Sequence, residues 1–129
     1  MIGIVIVAHS KKLADGVKEI IEQMVPSEIL IAAAGGAADH IGTDAVLIRS
    51  KIDEVYSEDG VLVLVDFGSS IISAKAAIAL LPAEKRTKTF IADAPLVEGS
   101  FMAAVDASVG KSLEEVRRAA ESSRDLRKK

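Results

Sequence analysis

The chain has 129 residues, which at about 150 residues per domain is material for one domain. Half of it is hydrophobic, with a mean hydropathy of +0.32, which excludes a disordered chain; a formal charge of −3 with 3% aromatics supplies neither the basic surface nor the stacking platforms of a nucleic-acid binder. With no cysteine, disulfide staples, thiolate zinc sites and thiol nucleophiles are excluded as well.

Residues 2–8 form a β-branched, nearly continuous apolar run, the pattern of a strand covered by helices on both faces of a parallel sheet. Ser10 is placed to cap the next helix, where Leu13, Val17, Ile20, Ile21 and Met24 recur at helical spacing until Pro26 stops it. The alternation repeats, with a strand over residues 29–33 and a helix face of Ile41, Ala45, Ile48, Ile52 and Val55 that ends near Gly60. Thr43 is the candidate cap of that helix. Residues 61–65 are the clearest strand; they run into Asp66-Phe67-Gly68-Ser69-Ser70 and an alanine-rich helix through Leu81, closed by Pro82. A short strand over residues 89–91 follows. Beyond Asp93-Ala94-Pro95 the spacing predicts a small-residue helix over 97–107, and Ser112-Leu113-Glu114-Glu115 is a capping box that opens a last helix. There Arg117, Arg118, Arg124, Arg127, Lys128 and Lys129 stand among Glu115, Glu121 and Asp125, which reads as a solvated face. The expected fold class is α/β: one doubly wound, open sheet of about four parallel strands, joined by right-handed crossovers, in a single domain over residues 1–129.

The longest stretches without charge, residues 1–10 and 29–38, are ten residues each, half the roughly 20 that cross a bilayer. No membrane partner is expected. The first stretch has neither a basic start nor a small-residue cleavage pattern, so a cytoplasmic location is the expectation.

In a doubly wound sheet the ligand site forms beyond the carboxyl ends of the strands, where the winding reverses. For the order 2-1-3-4 that crevice lies between the first and third strands, so Ala8-His9-Ser10 faces Asp66-Phe67-Gly68-Ser69, with Gly35-Gly36 and Asp93-Ala94-Pro95 completing the rim. His9 then stands beside the first amides of a helix, a phosphate-ready position. An Asp66 carboxylate accepting Nδ1–H would leave Nε2 unprotonated and nucleophilic. The plainer alternative is that His9 finishes a strand and Asp66 caps a helix. Likewise Ser69 and Ser70 are candidate caps of the third helix, and Gly35-Gly36 is either a turn or an anion approach. A Ser-His-Asp hydrolase is disfavoured because no G-x-S-x-G elbow is present, and a metal site because His9 and His40 are the only imidazoles and lack ligand spacing around them. His40 reads as a polar-loop residue. Neither a Walker pattern nor a G-x-G-x-x-G fingerprint occurs, so any nucleotide belongs to a partner.

The ordered series Val7-Ala8-His9-Ser10, Leu13-Ala14-Asp15-Gly16-Val17, Gln23-Met24, Ala33-Ala34-Gly35-Gly36, Ile41-Gly42-Thr43, Gly60 to Ser69 and Asp93-Ala94-Pro95-Leu96-Val97-Glu98-Gly99 resembles the DhaM family. These are the phosphotransfer subunits of phosphotransferase-system-dependent dihydroxyacetone kinases, and their IIA domain is similar to the mannose-family IIA component. The resemblance implies that His9 receives a phosphoryl group from phospho-HPr and passes it to ADP held in the nucleotide-binding kinase subunit. It also implies that Asp66 orients the imidazole, that Ser10, Gly36, Thr43 and Ser69 hold phosphoryl oxygens, and that the chain forms a homodimer; phosphoryl transfer asks mainly for alignment and charge stabilisation, so the chain itself is expected to carry no cofactor or metal. The chain departs from the family at Ile72-Ser73, where members often carry Met-Asn, and in a shorter loop between Gly36 and Ile41; some relatives also carry fused HPr-like and enzyme-I-like domains. Two alternatives share the fold: a mannose-type sugar-permease IIA component, against which the segment from Asp93 to Gly99 argues, and a regulatory module that reads phosphorylation without passing it on.

Overall fold

Hydrogen-bond pairing of the apolar runs builds one four-stranded sheet, all parallel, in the order β2-β1-β3-β4. A computed structural model describes residues 1–26 and 28–129. Its elements are β1 (Gly3–Ala8), α1 (Lys11–Met24), β2 (Leu30–Gly35), α2 (Ala45–Val55), β3 (Val61–Val65), α3 (Ser69–Ala79), a short α4 (Ala83–Arg86), β4 (Thr89–Ile91), α5 (Leu96–Ser108) and α6 (Leu113–Ser122), followed by a 3-10 turn at Ser123–Asp125. Among the described residues, no helix is long and apolar enough to cross a membrane.

The period-2 alternation of a strand sorts β1 between two cores. Ile4, Ile6 and Ala8 point with Leu62 and Leu64 into a layer under α1, α5 and α6, while Val5 and Val7 point with Val61, Val63 and Val65 against α2 and α3. Every residue of β1 and β3 is buried, which is why both read as unbroken apolar runs. Each such Ile, Leu or Val removed from water contributes about 1.5–3 kcal/mol. The step from β1 to β2 and the step from β2 to β3 run in opposite directions across the sheet. Crossovers of one hand therefore put α1 and α2 on opposite faces. The winding thus reverses between β1 and β3, and their loops part above the sheet.

Several expected boundaries move. β2 starts at Leu30 and reaches Gly35, because pairing with β1 continues to Ala8↔Gly35. Gly35 is therefore a strand residue. A Cβ there would lie 2.6 Å from the backbone of both Ser10 and Lys11, so its missing side chain is what lets α1 start against β2. α2 starts at Ala45 instead of using Ile41, which is 69% exposed in the preceding loop. Its cap is Asp44, whose side chain accepts from the Val46 and Leu47 amides, and not Thr43. Gly68 occupies the cap position of α3 with no side-chain bond, so neither Ser69 nor Ser70 caps that helix. The caps expected at Ser10 and Ser112 are present, the latter as a full capping box with Glu115.

Candidate functional site

The crevice above β1 and β3 is set by their register. Val7 lies beside Val65, and the Asp66 amide donates to the Val7 carbonyl at 3.1 Å, so the two strands stay paired to their tips. One step further the pairing passes to a side chain: the His9 amide donates to Asp66 Oδ2 at 2.9 Å. The same oxygen lies 2.9 Å from His9 Nδ1. An ionised carboxylate only accepts, so Nδ1 carries the proton and Nε2 of the neutral ring holds a lone pair. Ser69 Oγ lies 2.8 Å from Nε2, and its hydroxyl is the donor there.

Oδ1, the other carboxylate oxygen, accepts from the Phe67 amide at 2.7 Å and from the Ser70 hydroxyl. Burial pushes the Asp66 carboxyl up, but the Ser70 hydroxyl, the His9 amide, the His9 ring and the Phe67 amide together outweigh it and hold the group below its usual range. The Asp66 side chain is 7% exposed, against 20% for His9, so the acid sits behind a ring that still reaches solvent.

Gly68 has φ +54 with open space where a Cβ would stand, and this turn folds the chain back so that the Ser70 amide reaches the Phe67 carbonyl. The fold-back lays the Phe67 ring on the His9 ring, centroids 4.7 Å apart and planes 20° apart, although Phe67 itself is 68% exposed. On one side of this pair lies an open cleft of about 490 Å³ lined by Ser10, Lys11, Lys12, Asp39, His40 and Ile41. On the other lies a cleft of about 320 Å³ that includes Asp66, Ile71, Lys75, Asp93 and Ala94.

Of the residues marked out by sequence, His9, Asp66 and Ser69 come into direct contact. Ser10 caps α1 through the Leu13 amide, Gly36 (φ +78) donates its amide to the Ala8 carbonyl, and the Thr43 hydroxyl pairs with Ser73 at 2.6 Å. None of these three makes a hydrogen bond to the imidazole. The positive φ belongs to Gly36 alone, the first residue after β2, where the chain turns into the loop. The loop of Gly36 is tied in by the Gly42 amide, which donates to the His9 carbonyl at 3.0 Å. His40 Nδ1 donates to the Ile41 carbonyl in that loop, and among the described residues no cluster of His, Asp and Glu could hold a metal ion. Asp93 turns to α6, accepting from Arg124 and donating its amide to Glu121.

Two members of the site had no part in its chemistry assigned from the sequence, although Phe67 lies in the segment placed opposite His9. Ser70 stands four residues after Asp66, a spacing that meets across the first turn of a helix, but a serine there reads first as a cap. Phe67 gave no periodic signal at all.

Residues 3–117 match the family described as PTS system fructose IIA component. The chain is 42% identical over 117 residues to the phosphoryl donor subunit DhaM of PEP-dependent dihydroxyacetone kinase 2 from Listeria innocua, covering 90% of this chain and 94% of that one. It is equally 42% identical, over 120 residues, to the phosphoryl donor subunit DhaM of PEP-dependent dihydroxyacetone kinase from Escherichia coli; there the match takes 90% of this chain but 25% of the longer relative. A crystal structure of a protein described as of unknown function superposes with a TM-score of 0.85 at 37% identity, covering 94% of this chain and 93% of the other. The phosphotransferase system component EIIA from Streptococcus agalactiae superposes with a TM-score of 0.71 at 20% identity over 95% of this chain and 92% of its own, a likeness of fold alone.

Proposed function

This chain belongs to the PTS fructose IIA component family, and from that membership we propose that it is a phosphohistidine carrier. It accepts a phosphoryl group from phospho-HPr on His9 and transfers it to ADP bound in the nucleotide-binding subunit of dihydroxyacetone kinase. The chain holds no nucleotide or metal of its own, works in the cytoplasm and forms a homodimer. The acceptor is taken from the relatives that are named phosphoryl donor subunits of that kinase.

The observation that carries the reading is the 2.9 Å bond from Nδ1 to Asp66, which leaves the Nε2 lone pair toward solvent under a single hydroxyl. Nε2 attacks phosphorus, the P–N bond of the donor breaks, and the donor ring leaves with the electron pair. The His9 ring becomes a phosphoimidazolium whose Nδ1 proton faces the Asp66 carboxylate, so the positive charge is matched where it develops. Ser69 must turn from Nε2 as phosphorus arrives, and its hydroxyl then has a phosphoryl oxygen within reach. Discharge runs the same way in reverse: an oxygen of the ADP β-phosphate attacks, the Nε2–P bond breaks, and its electron pair returns to Nε2. Alignment and charge stabilisation are most of what such a transfer asks of a protein. An open crevice also suits a ring that must meet two partners in turn.

The test is incubation with radiolabelled phosphoenolpyruvate, enzyme I and HPr. His9→Ala is expected to take up no label and the native chain to discharge it to the ADP-loaded kinase subunit. Label on the His9→Ala protein would remove His9 from its role. A native chain that is labelled but never discharges to that subunit would favour a sugar permease as acceptor, or a regulatory role.

A further inference from the structure

Asp66 is held by four donors. Three of them are the His9 amide, the His9 ring and the Phe67 amide, which belong to the backbone or to the reacting residue itself. The fourth is the hydroxyl of Ser70, fully buried in the first turn of α3. Its proton goes to Oδ1, because the carboxylate offers none, and its oxygen lies 3.2 Å from His9 Nδ1 with lone pairs free. The Nδ1 proton therefore stands between two acceptors, Oδ2 and Ser70 Oγ. Alanine would serve the helix at this position at least as well, and no backbone amide of α3 receives a side-chain cap from Ser70. Both visible uses of the hydroxyl therefore lie at the ring: it fixes the acid behind it, and at longer range it faces the Nδ1 proton.

We infer that Ser70 is a positioning residue of the phosphoryl-transfer site: through its bond to Asp66 it sets how strongly the carboxylate draws on the Nδ1 proton, and so how readily phosphorylated His9 gives up its phosphoryl group. This rests on the proposal that His9 is the phosphorylated residue. When Nε2–P breaks, the electron pair returns to the ring, and the ring is the better leaving group the more fully Nδ1 keeps its proton. A carboxylate already engaged by the Ser70 hydroxyl is a weaker base toward that proton. Removing the hydroxyl takes away a weak 3.2 Å contact to Nδ1 and a much shorter bond to Oδ1, so the net effect is a more basic Asp66, which lowers the positive charge left on the phosphorylated ring and strengthens the Nε2–P bond. Before transfer the same change makes Nε2 a better nucleophile. Both effects push the phosphoryl group toward this chain and away from its partners.

The experiment compares the native chain with Ser70→Ala. Each is brought to equilibrium with radiolabelled phospho-HPr, and discharge to the ADP-loaded kinase subunit is then followed at saturating and limiting concentrations of that subunit. The variant is expected to hold about fivefold more phosphoryl group relative to HPr, and to discharge several-fold more slowly in kcat with KM unchanged, since the docking surface is untouched. A thermal melt establishes that the variant is folded. An equal phosphoryl distribution with equal discharge rates overturns the inference, and so does a loss confined to KM. If the native chain itself takes no label on His9, the functional proposal fails first; if the native chain is labelled and Ser70→Ala behaves identically, only the role of Ser70 fails.

Discussion

Replacing Asp66 by Asn keeps the size of the side chain and removes its charge, so it isolates what the carboxylate does for the ring. In the native chain both oxygens accept twice, Oδ2 from the His9 amide and Nδ1, Oδ1 from the Phe67 amide and the Ser70 hydroxyl. An amide has one oxygen. If its NH2 takes the place of Oδ2, it faces the His9 amide, donor against donor, and forces the imidazole into the tautomer with no lone pair on Nε2. If its NH2 takes the place of Oδ1, Ser70 can reverse its bond and accept, and only the Phe67 amide, in an exposed residue, loses its partner to water. The first arrangement sets two donors face to face inside the site, while the second puts its displaced amide in an exposed residue where water replaces the partner, so the tautomer survives and the charge alone is lost. A hydrogen bond to a charged group is worth about 1.5–3 kcal/mol against about 1 for a neutral pair. The difference reaches about 2 kcal/mol at its upper end, the end that applies to a cationic, phosphorylated ring, and this is about 30-fold in the rate of uptake. Quenched single-turnover transfer from phospho-HPr measures it, and an Asp66→Asn protein within threefold of the native rate would refute the argument. Stability supplies a second arm. Because the folded-state pKa of Asp66 is depressed, its contribution is fully present above the ordinary value of 3.8 and is lost as pH falls through the lower, folded value. Urea unfolding is therefore expected to separate the native and Asn chains at pH 7 and to bring them together in strong acid; a gap that stays constant would contradict the assigned hydrogen bonds.

Gly35→Ala places a Cβ 2.6 Å from backbone atoms of Ser10 and Lys11, which cannot rotate away. The expected cost is about 3 kcal/mol, a fall of roughly 10 °C in thermal midpoint, and an unchanged midpoint would show that α1 is not seated tightly on β2. Phe67→Ala removes an exposed ring, so stability should change by under about 1 kcal/mol. The His9 ring protons, no longer under an aromatic face, are expected to move downfield in the NMR spectrum, and resonances that do not move would mean the rings are not stacked in solution.

How much of this the sequence disclosed depended on whether a feature was set locally or by pairing. Residues 61–65 announced a buried strand because every position is β-branched or Leu, and Ser112 announced a helix start because its partner Glu115 lies three residues on. The ends of β2 and α2 were not local facts. Gly35 is in a strand because Ala8 lies beside it, against its own propensity, and Ile41 matched the spacing of α2 while the loop it occupies is drawn toward the His9 carbonyl by Gly42. Thr43 and Asp44 are both good caps; the path of that loop, which hands Thr43 to Ser73, left the cap to Asp44. His9 and Asp66 were legible because the strand order alone puts their loops together. Ser70 was not, since a serine at a helix start has an ordinary explanation that only coordinates can set aside.

The dependence of the site on pairing also bears on the proposed carrier role. His9 and Asp66 lie 57 residues apart, and what joins them is the β1–β3 register, Val7 against Val65, carried one step onward by the Asp66 amide. A slip of one residue would move the acid by about 3.3 Å along the strand, beyond hydrogen-bond reach of Nδ1. The same slip would turn the valines and isoleucines of the two strands to the wrong faces. The two cores on either side of the sheet therefore hold the register, and the register holds the imidazole tautomer. Rigidity of this kind lets the His9 imidazole stand near the surface, 20% exposed, with its orientation set from beneath. A site that had to enclose its substrate would gain orientation from the walls; this one takes it from the sheet beneath, and leaves its outer face open to each protein it meets.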